Sequence, residues 1–181
     1  VAGAPAVANA PSETPQTQPP GKMVLVLDAS GSMKEPTGAG QTKIEAARDA
    51  LGEVVDAVPD DAEVGMRVFG AKVFSRTDAG ACTDTQRVVD LGTQNRDELR
   101  SALGNYAPYG ETPIPSALRA AAADLGEDGK RSIVLVSDGE STCTPNPCQV
   151  AGELAKKGID LTIDVVGLSV TGKARKQLEC I

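Results

Sequence analysis

Histidine is absent from this chain of 181 residues, and so is tryptophan. The missing imidazole removes Ser-His-Asp and Cys-His catalysis, His-ligated zinc, haem held by a proximal His and any imidazole proton shuttle. Aromatics make up 2% of the residues (Phe69, Phe74, Tyr106 and Tyr109), so a core must be built from Val, Leu, Ile and Ala. No apolar run is long enough to span a bilayer. Basic residues are outnumbered: Lys and Arg total 18 against 25 Asp and Glu, a formal charge of −7. That balance argues against nucleic acid or an anionic membrane as the main partner. The four cysteines, Cys82, Cys143, Cys148 and Cys180, contain no C-x-x-C pair, which disfavours zinc-ribbon and thioredoxin readings.

What remains is a chain with enough apolar residues, 40%, to bury a core. An even cysteine count suits two disulfides in an oxidising, extracytoplasmic compartment. Four cysteines allow three pairings. Cys143 and Cys148 are close enough for a local bridge, leaving Cys82 with Cys180. Alternatively Cys148 joins Cys180 and Cys82 joins Cys143, the arrangement favoured when consecutive crossovers of one hand lay their helices side by side.

Residues 1–21 hold five of the twelve prolines and one charged side chain, Glu13. They are expected to be a disordered linker or the tail left by a signal peptide, since Ala8-Asn9-Ala10 fits the small-residue pattern before a signal-peptidase cut. Residues 22–181 are expected to form one domain. Its terminal segment, from Lys173, spaces Ala174, Leu178 and Ile181 as a helix that is expected to continue beyond the last residue.

Within that domain strands and helices alternate. Residues 23–27 (Met-Val-Leu-Val-Leu) read as a strand covered on both faces. Thr42 and Glu45 form a capping-box pattern, and Ile44, Ala47, Leu51, Val54, Val55 and Val58 share one helical face that ends at Pro59. Val64–Phe69 is a second strand. Arg87–Leu91 is a third with no helix before it, hence antiparallel to the second. Asn95 with Glu98 predicts a capped helix closed by Gly104, and Ser116–Leu125 another, preceded by Pro113 and Pro115 and closed by Gly126. Ile133–Val136 is a fourth strand, Asn146-Pro147 opens a helix stopped by Gly158, and Leu161–Val166 is a fifth strand. The pattern predicts an α/β fold: a doubly wound, mostly parallel open sheet with one antiparallel edge strand and helices on both faces.

Ligands in such sheets bind beyond the carboxyl ends of the strands, where strand order reverses. The first strand ends in Asp28-Ala29-Ser30-Gly31-Ser32, and the fourth in Ser137-Asp138-Gly139. A further loop offers Gly110-Glu111-Thr112-Pro113. Alternate residues of an extended chain point the same way, and Gly31 lets the backbone turn, so the oxygens of Asp28, Ser30 and Ser32 can curl around one small cation. Asp138 and Thr112 complete a set of two carboxylates and three hydroxyls. Hard oxygen donors of this kind suit Mg²⁺, with Mn²⁺ or Ca²⁺ as alternatives. Two carboxylates balance the charge and the hydroxyls add none, so the site stays electrophilic and suits an acidic side chain from a partner. Ser137 reads as a turn residue, and Glu111 and Glu140 as surface residues nearby.

Asp28-x-Ser30-x-Ser32 with Thr112 and Asp138 downstream resembles the metal-ion-dependent adhesion site of von Willebrand factor type A domains. The resemblance covers roughly residues 22–181. It implies a Mg²⁺ or Mn²⁺ site that binds a protein ligand through its Glu or Asp. It further implies direct coordination by Ser30, Ser32 and Thr112, with Asp28 and Asp138 acting partly through water. The loop from Thr142 to Cys148 resembles bacterial secreted members of that family.

The expected function is therefore a monomeric, extracytoplasmic, non-enzymatic module that binds a protein partner through a divalent cation. Two other readings compete. One is a Mg²⁺-dependent phosphotransfer or phosphatase domain, which needs an Asp nucleophile with a Lys or Arg nearby; no basic residue is evidently placed for it. The other is a spacer whose metal only holds loops together. Gly167–Ala174 nearly spells a phosphate-binding loop, but Ala174 stands where a Ser or Thr should hold Mg²⁺, so it reads as a plain loop leading into a helix. Gly38-Ala39-Gly40 lacks the rest of a dinucleotide fingerprint.

Overall fold

The computed structural model describes residues 21–158 and 160–181. The linker reading of residues 1–21 falls, apart from Gly21, outside the described residues. Five strands form one sheet in the order β3-β2-β1-β4-β5, with β1 at Lys22–Asp28, β2 at Glu63–Phe69, β3 at Thr85–Gly92, β4 at Arg131–Ser137 and β5 at Leu161–Gly167. β1 pairs in parallel with β2 and with β4, and β4 with β5; β3 runs antiparallel to β2. The predicted fold class and the antiparallel edge strand are both present.

The sheet is buried on both sides because its strands carry apolar residues at consecutive positions. Leu25 and Leu27 of β1 face α1 (Lys43–Ala57) and α2 (Arg96–Leu103), packing with Ile44, Leu51, Val55, Leu99 and Leu103. Val24 and Val26, of opposite parity, face α3 (Ile114–Leu125), α4 (Pro147–Lys157) and α5 (Gly172–Glu179), packing with Ile114, Leu118, Leu125, Val150 and Leu178. Alternation along the strand sends successive side chains to opposite layers, so one apolar run supplies two cores.

Three local readings change. Helix α3 begins at Ile114 rather than Ser116 and takes Pro115 into its first turn. The first-turn N–H groups have no intrahelical acceptor, so proline loses nothing there. Asn95 precedes α2 but makes no side-chain cap. Its amide instead donates to the carbonyl of Val64 at 2.7 Å, beside an irregularity in the β2–β3 pairing. A backbone carbonyl of the sheet thus takes the side chain that the helix end would otherwise use. Finally, β3 extends from Thr85 to Gly92, further than the apolar residues alone suggested.

The remaining end signals act as read. Glu45 accepts from the backbone N–H of Thr42 at 2.7 Å, and Asn146 accepts from Cys148 N at 2.9 Å. The chain from Gly167 runs into α5 with Lys173 exposed.

Because β1 is the central strand of both layers, replacement of its fully buried Leu25 by Ala should cost about 2–5 kcal/mol of unfolding free energy. Urea denaturation of the Leu25→Ala variant measures this; a loss below about 1 kcal/mol would contradict the packing described.

Candidate metal centre and binding face

β1 and β4 are neighbours whose onward connections lead to opposite sides of the sheet, so a crevice opens beyond their carboxyl ends. Asp28 closes β1, and Asp138 follows β4 directly. Ser30 and Ser32 lie where the chain leaves β1 in a 3-10 turn over Gly31–Lys34, pinned by Met33, which is fully buried. Thr112 comes from the segment before α3. That segment is laced to β1 and to the loop after β2 by Tyr109 N to Ala29 O (2.8 Å), Gly31 N to Gly110 O (2.9 Å) and Gly110 N to Gly70 O (2.7 Å). Glycine at 110 is obligatory: a Cβ there would stand 2.1 Å from the carbonyl oxygen of Val73.

The structure brings all five predicted oxygen donors to this one place. Ser30, Ser32, Thr112 and Asp138 line an open depression of about 420 Å³, joined by Glu35, Lys43, Glu111 and Glu140. Ser32 donates its hydroxyl to Asp138 Oδ1 at 2.8 Å and lies 3.3 Å, oxygen to oxygen, from Ser30. Asp28 stands behind them, fully buried. Its Oδ1 accepts from Ser30 N at 2.8 Å and its Oδ2 from the Ser137 hydroxyl at 2.5 Å. Two depressions of similar size open at the other edge of the sheet. One holds two carboxylates without a hydroxyl (Glu127, Glu153), the other one carboxylate with one hydroxyl (Asp61, Ser132). Chemistry, not size, distinguishes the first.

Several residues in this network were not singled out from sequence. Ser137, read as a turn residue, fixes the Asp28 carboxylate. Thr142 accepts the backbone N–H of Thr112 at 3.0 Å and donates its own N–H to the Thr112 carbonyl at 3.2 Å. Asp84, buried, accepts from Lys72 N (3.0 Å) and Val73 N (2.8 Å) and so shapes the loop against which Gly110 packs. Glu111, read as a surface residue, accepts from Arg76 N at 3.1 Å.

Lys43 is the largest addition. It sits at the start of α1, and its ammonium donates to Asp138 Oδ2 at 2.7 Å and to Glu35 Oε2 at 2.8 Å. The expectation that no basic residue stands near the carboxylates is therefore corrected. An apolar-faced helix hides the signal, since the lysine's four-carbon stem lies along buried surface while its head reaches the polar site. Burial works to lower its pKa, but its hydrogen bonds to Asp138 and Glu35, with the charges of those carboxylates, outweigh that and hold it above the ordinary lysine value. The same ammonium holds Glu35 below the usual carboxylate range.

The cysteines pair as Cys82–Cys143 and Cys148–Cys180, with Cα separations of 5.5 and 5.4 Å. The local Cys143–Cys148 bridge is not formed. Cys82–Cys143 ties the loop before β3 to the segment that holds Thr142, and Cys148–Cys180 ties the first turn of α4 to the end of α5.

The donor set fits a hard divalent cation. It consists of oxygens only, with two carboxylates and three hydroxyls at one crevice. Among the described residues no group of three or more His, Cys, Asp or Glu side chains is placed to hold a metal by itself, so a cation held here would take much of its coordination from the hydroxyls.

Comparison with known proteins agrees with this fold. The family model for the von Willebrand factor type A domain matches residues 23–140. The uncharacterized protein YwmC of Bacillus subtilis (strain 168) is 30% identical over 98% of this chain and 78% of its own length. A von Willebrand factor type A structure from Catenulispora acidiphila superposes with a TM-score of 0.64 at 22% identity, covering 90% of this chain and 36% of that one. Proximal thread matrix protein 1 from the mussel byssus, in a structure with a zinc-occupied MIDAS motif, superposes with a TM-score of 0.64 at 15% identity, covering 91% of this chain and 41% of that one. The chain thus spans about two fifths of the length of these solved structures.

Burial raises the Asp28 pKa from 3.8 to about 6, against the lowering effect of the hydrogen bonds from Ser137 and Ser30, and nearby Asp138 raises it further. The folded protein therefore keeps this proton to higher pH than the unfolded chain does. The contribution of Asp28 to stability is fully present below 3.8 and is lost as pH rises through about 6. With EDTA present, thermal melting of Asp28→Asn and wild type from pH 4 to 7 should show the variant gaining on wild type as pH rises; parallel profiles would contradict it.

Proposed function

The chain belongs to the von Willebrand factor type A family, and from that premise we propose that it is a divalent-cation-dependent protein-binding module. The observation that carries the reading is the convergence of Asp28, Ser30, Ser32, Thr112 and Asp138 on one crevice at the switch point of the sheet. Ser30, Ser32 and Thr112 would hold Mg²⁺ or Mn²⁺, with Ca²⁺ as a third candidate, and Asp28 and Asp138 would balance its charge. A bound cation of this kind supplies an electrophilic position suited to an exposed Asp or Glu of a protein partner. The zinc-occupied motif of the mussel matrix protein supports metal occupancy for the fold. Two disulfides support an extracytoplasmic, secreted or cell-envelope location. No helix among the described residues is long and apolar enough to cross a membrane.

The chain's own residues prepare the site. Ser137 and the Ser30 backbone aim both oxygens of Asp28, so the carboxylate does not need to reorganise. Ser32 bridges Ser30 to Asp138. Lys43 neutralises part of the negative charge and holds Asp138 in place through its second oxygen.

Lys43 gives the phosphotransfer reading the cation it lacked, but the nucleophile is missing. Asp28 is fully buried behind the depression rather than lining it, with each oxygen held by a hydrogen bond, so it is not presented to a substrate phosphorus there. Asp138 carries Lys43 on one oxygen and Ser32 on the other. Binding, not catalysis, is what this arrangement suits, and the domain is proposed to be no enzyme.

Calorimetric titration of Mn²⁺ or Mg²⁺ should give one binding event with wild type and at least a tenfold weaker one with Asp28→Ala; equal binding by the two proteins would refute the reading. A second titration isolates Lys43. With Lys43→Met, Asp138 is left without its buried counter-ion, so the variant should melt at a lower temperature in EDTA. The same variant should bind Mn²⁺ about tenfold more tightly, because a competing positive charge is gone. Unchanged affinity would show that Lys43 plays no part in charge balance at the site.

A further inference from the structure

Aromatic side chains are scarce here, and the four are not used alike. Phe69 is fully buried and Tyr106 packs against the core. Phe74 and Tyr109 are 65% and 47% exposed, and they stand against each other with ring centroids 5.3 Å apart and planes inclined by 53°. Val166 is the other large hydrophobic residue exposed among the described residues. A chain with so few aromatics has therefore placed a pair of them together in water.

Their position is fixed relative to the metal site. Tyr109 precedes Gly110 and Glu111, both of which line the site depression, and its N–H donates to Ala29 between Asp28 and Ser30. Phase and spacing of the opposite loop are set by Asp84, whose carboxylate takes the N–H groups of Lys72 and Val73 immediately before Phe74. The two loops touch at Gly110 and Val73. The rings thus ride on backbone already hydrogen-bonded at both sides, and ordering them on binding costs little entropy.

The surroundings specify the occupant. Lys72 and Arg76 flank Phe74 and are exposed, on a protein of net charge −7; the Arg76 guanidinium lies 3.7 Å from Glu111 and offsets that carboxylate, which leaves Lys72 as the cation at this edge. The acidic whole would repel an acidic partner at a distance, while Lys72 and the neutralised Glu111 lower that repulsion beside the rings. The rings are inclined to each other by 53°, so the pair presents an angled apolar surface and not one flat platform. An extended peptide advances about 3.3 Å per residue, so a carboxylate at the site and an apolar group on the rings fall within a few residues of one strand.

We propose that the Phe74–Tyr109 pair is the specificity subsite of the binding face. It takes the apolar side chain of an extended acidic peptide segment, one to about three residues from the Asp or Glu that occupies the metal position. Lys72 meets a further acidic residue of the same segment, while Arg76 offsets Glu111. The inference rests on the cation-dependent binding proposed above.

The test is selection of a phage-displayed linear peptide library on three immobilised targets: wild type with Mn²⁺, Phe74→Ser/Tyr109→Ser with Mn²⁺, and wild type with EDTA. Wild type with Mn²⁺ should enrich Asp or Glu with Phe, Tyr, Trp, Leu or Pro close by, and the double variant should enrich the acid without the apolar neighbour. A synthetic peptide from the first selection should bind the double variant about tenfold more weakly, while Mn²⁺ affinity and melting temperature stay as in wild type. Acidic residues without an apolar preference on both Mn²⁺ targets would overturn this inference and leave cation-dependent binding standing. The same enrichment in EDTA would overturn the cation-dependent reading on which it rests. No enrichment on wild type with Mn²⁺ would overturn it also.

Discussion

A carboxylate with no access to water sits at the centre of this domain, and the surrounding architecture follows from keeping it there. Burying an ionisable group without partners is costly, so Asp28 must be supplied with donors. The Ser30 N–H comes from its own loop and the Ser137 hydroxyl from the neighbouring strand, at 2.8 and 2.5 Å. These two contacts lock the exit of β1 to the exit of β4. They exist only because β1 and β4 pair in parallel and in register up to Leu27 and Val136. Sheet order, strand length and site geometry are thus one constraint seen at three scales. Even so, burial raises the Asp28 pKa to about 6, and a cation bound in the adjoining depression would favour the ionised form.

Much of the fold was legible because it depends on local rules. Consecutive apolar residues at 23–27 could only be a strand buried on both faces, and Thr42-x-x-Glu45 marked a helix start from four residues. Asp28, Ser30, Ser32, Thr112 and Asp138 were also legible, because each closes or follows a strand or precedes a helix at the edge where such sheets bind. Lys43 was not. Its place in the site depends on the three-dimensional closeness of the α1 start to the β4 exit, 95 residues apart, which no periodicity reports. Asn95 does stand at the N-cap of α2, but its side-chain role was misread for the same kind of reason: the acceptor it serves, Val64 O, lies 31 residues away. Ser137 was seen but undervalued, since its role appears only when Asp28 is placed opposite. The disulfide pairing was open among alternatives in the sequence and follows in the structure from which segments the strand order brings together.

The Thr112 segment shows how the chain substitutes connection for a regular element. It is neither strand nor helix until Ile114, yet its backbone is bonded to Ala29, Gly70 and Thr142, and its neighbour Thr142 is next to the bridged Cys143. Pro113 and Pro115 remove conformers from the unfolded chain without sacrificing any needed hydrogen bond. The hydroxyl of Thr112 is therefore delivered by a loop whose freedom has been withdrawn from three sides. A site assembled on such supports would bind by fit to a preformed geometry, with little ordering of this loop to offset.

Charge then decides what the face can attract. Four acidic side chains (Glu35, Glu111, Asp138 and Glu140) and one lysine line the depression itself. Without a cation, such a face is the last place an acidic peptide would approach, and Lys43 alone does not reverse it, because its ammonium is already committed to Asp138 and Glu35. A divalent ion would add two positive charges at the point where repulsion is greatest, and at contact distances within a Debye length that change in potential is little screened. Lys72 would extend that reversal sideways towards the exposed aromatic pair, while Arg76 offsets Glu111. On the proposed reading the acidic composition of the chain serves selectivity: net charge −7 would repel an acidic segment at large, and cation, Lys72 and aromatic pair together would admit it at this face.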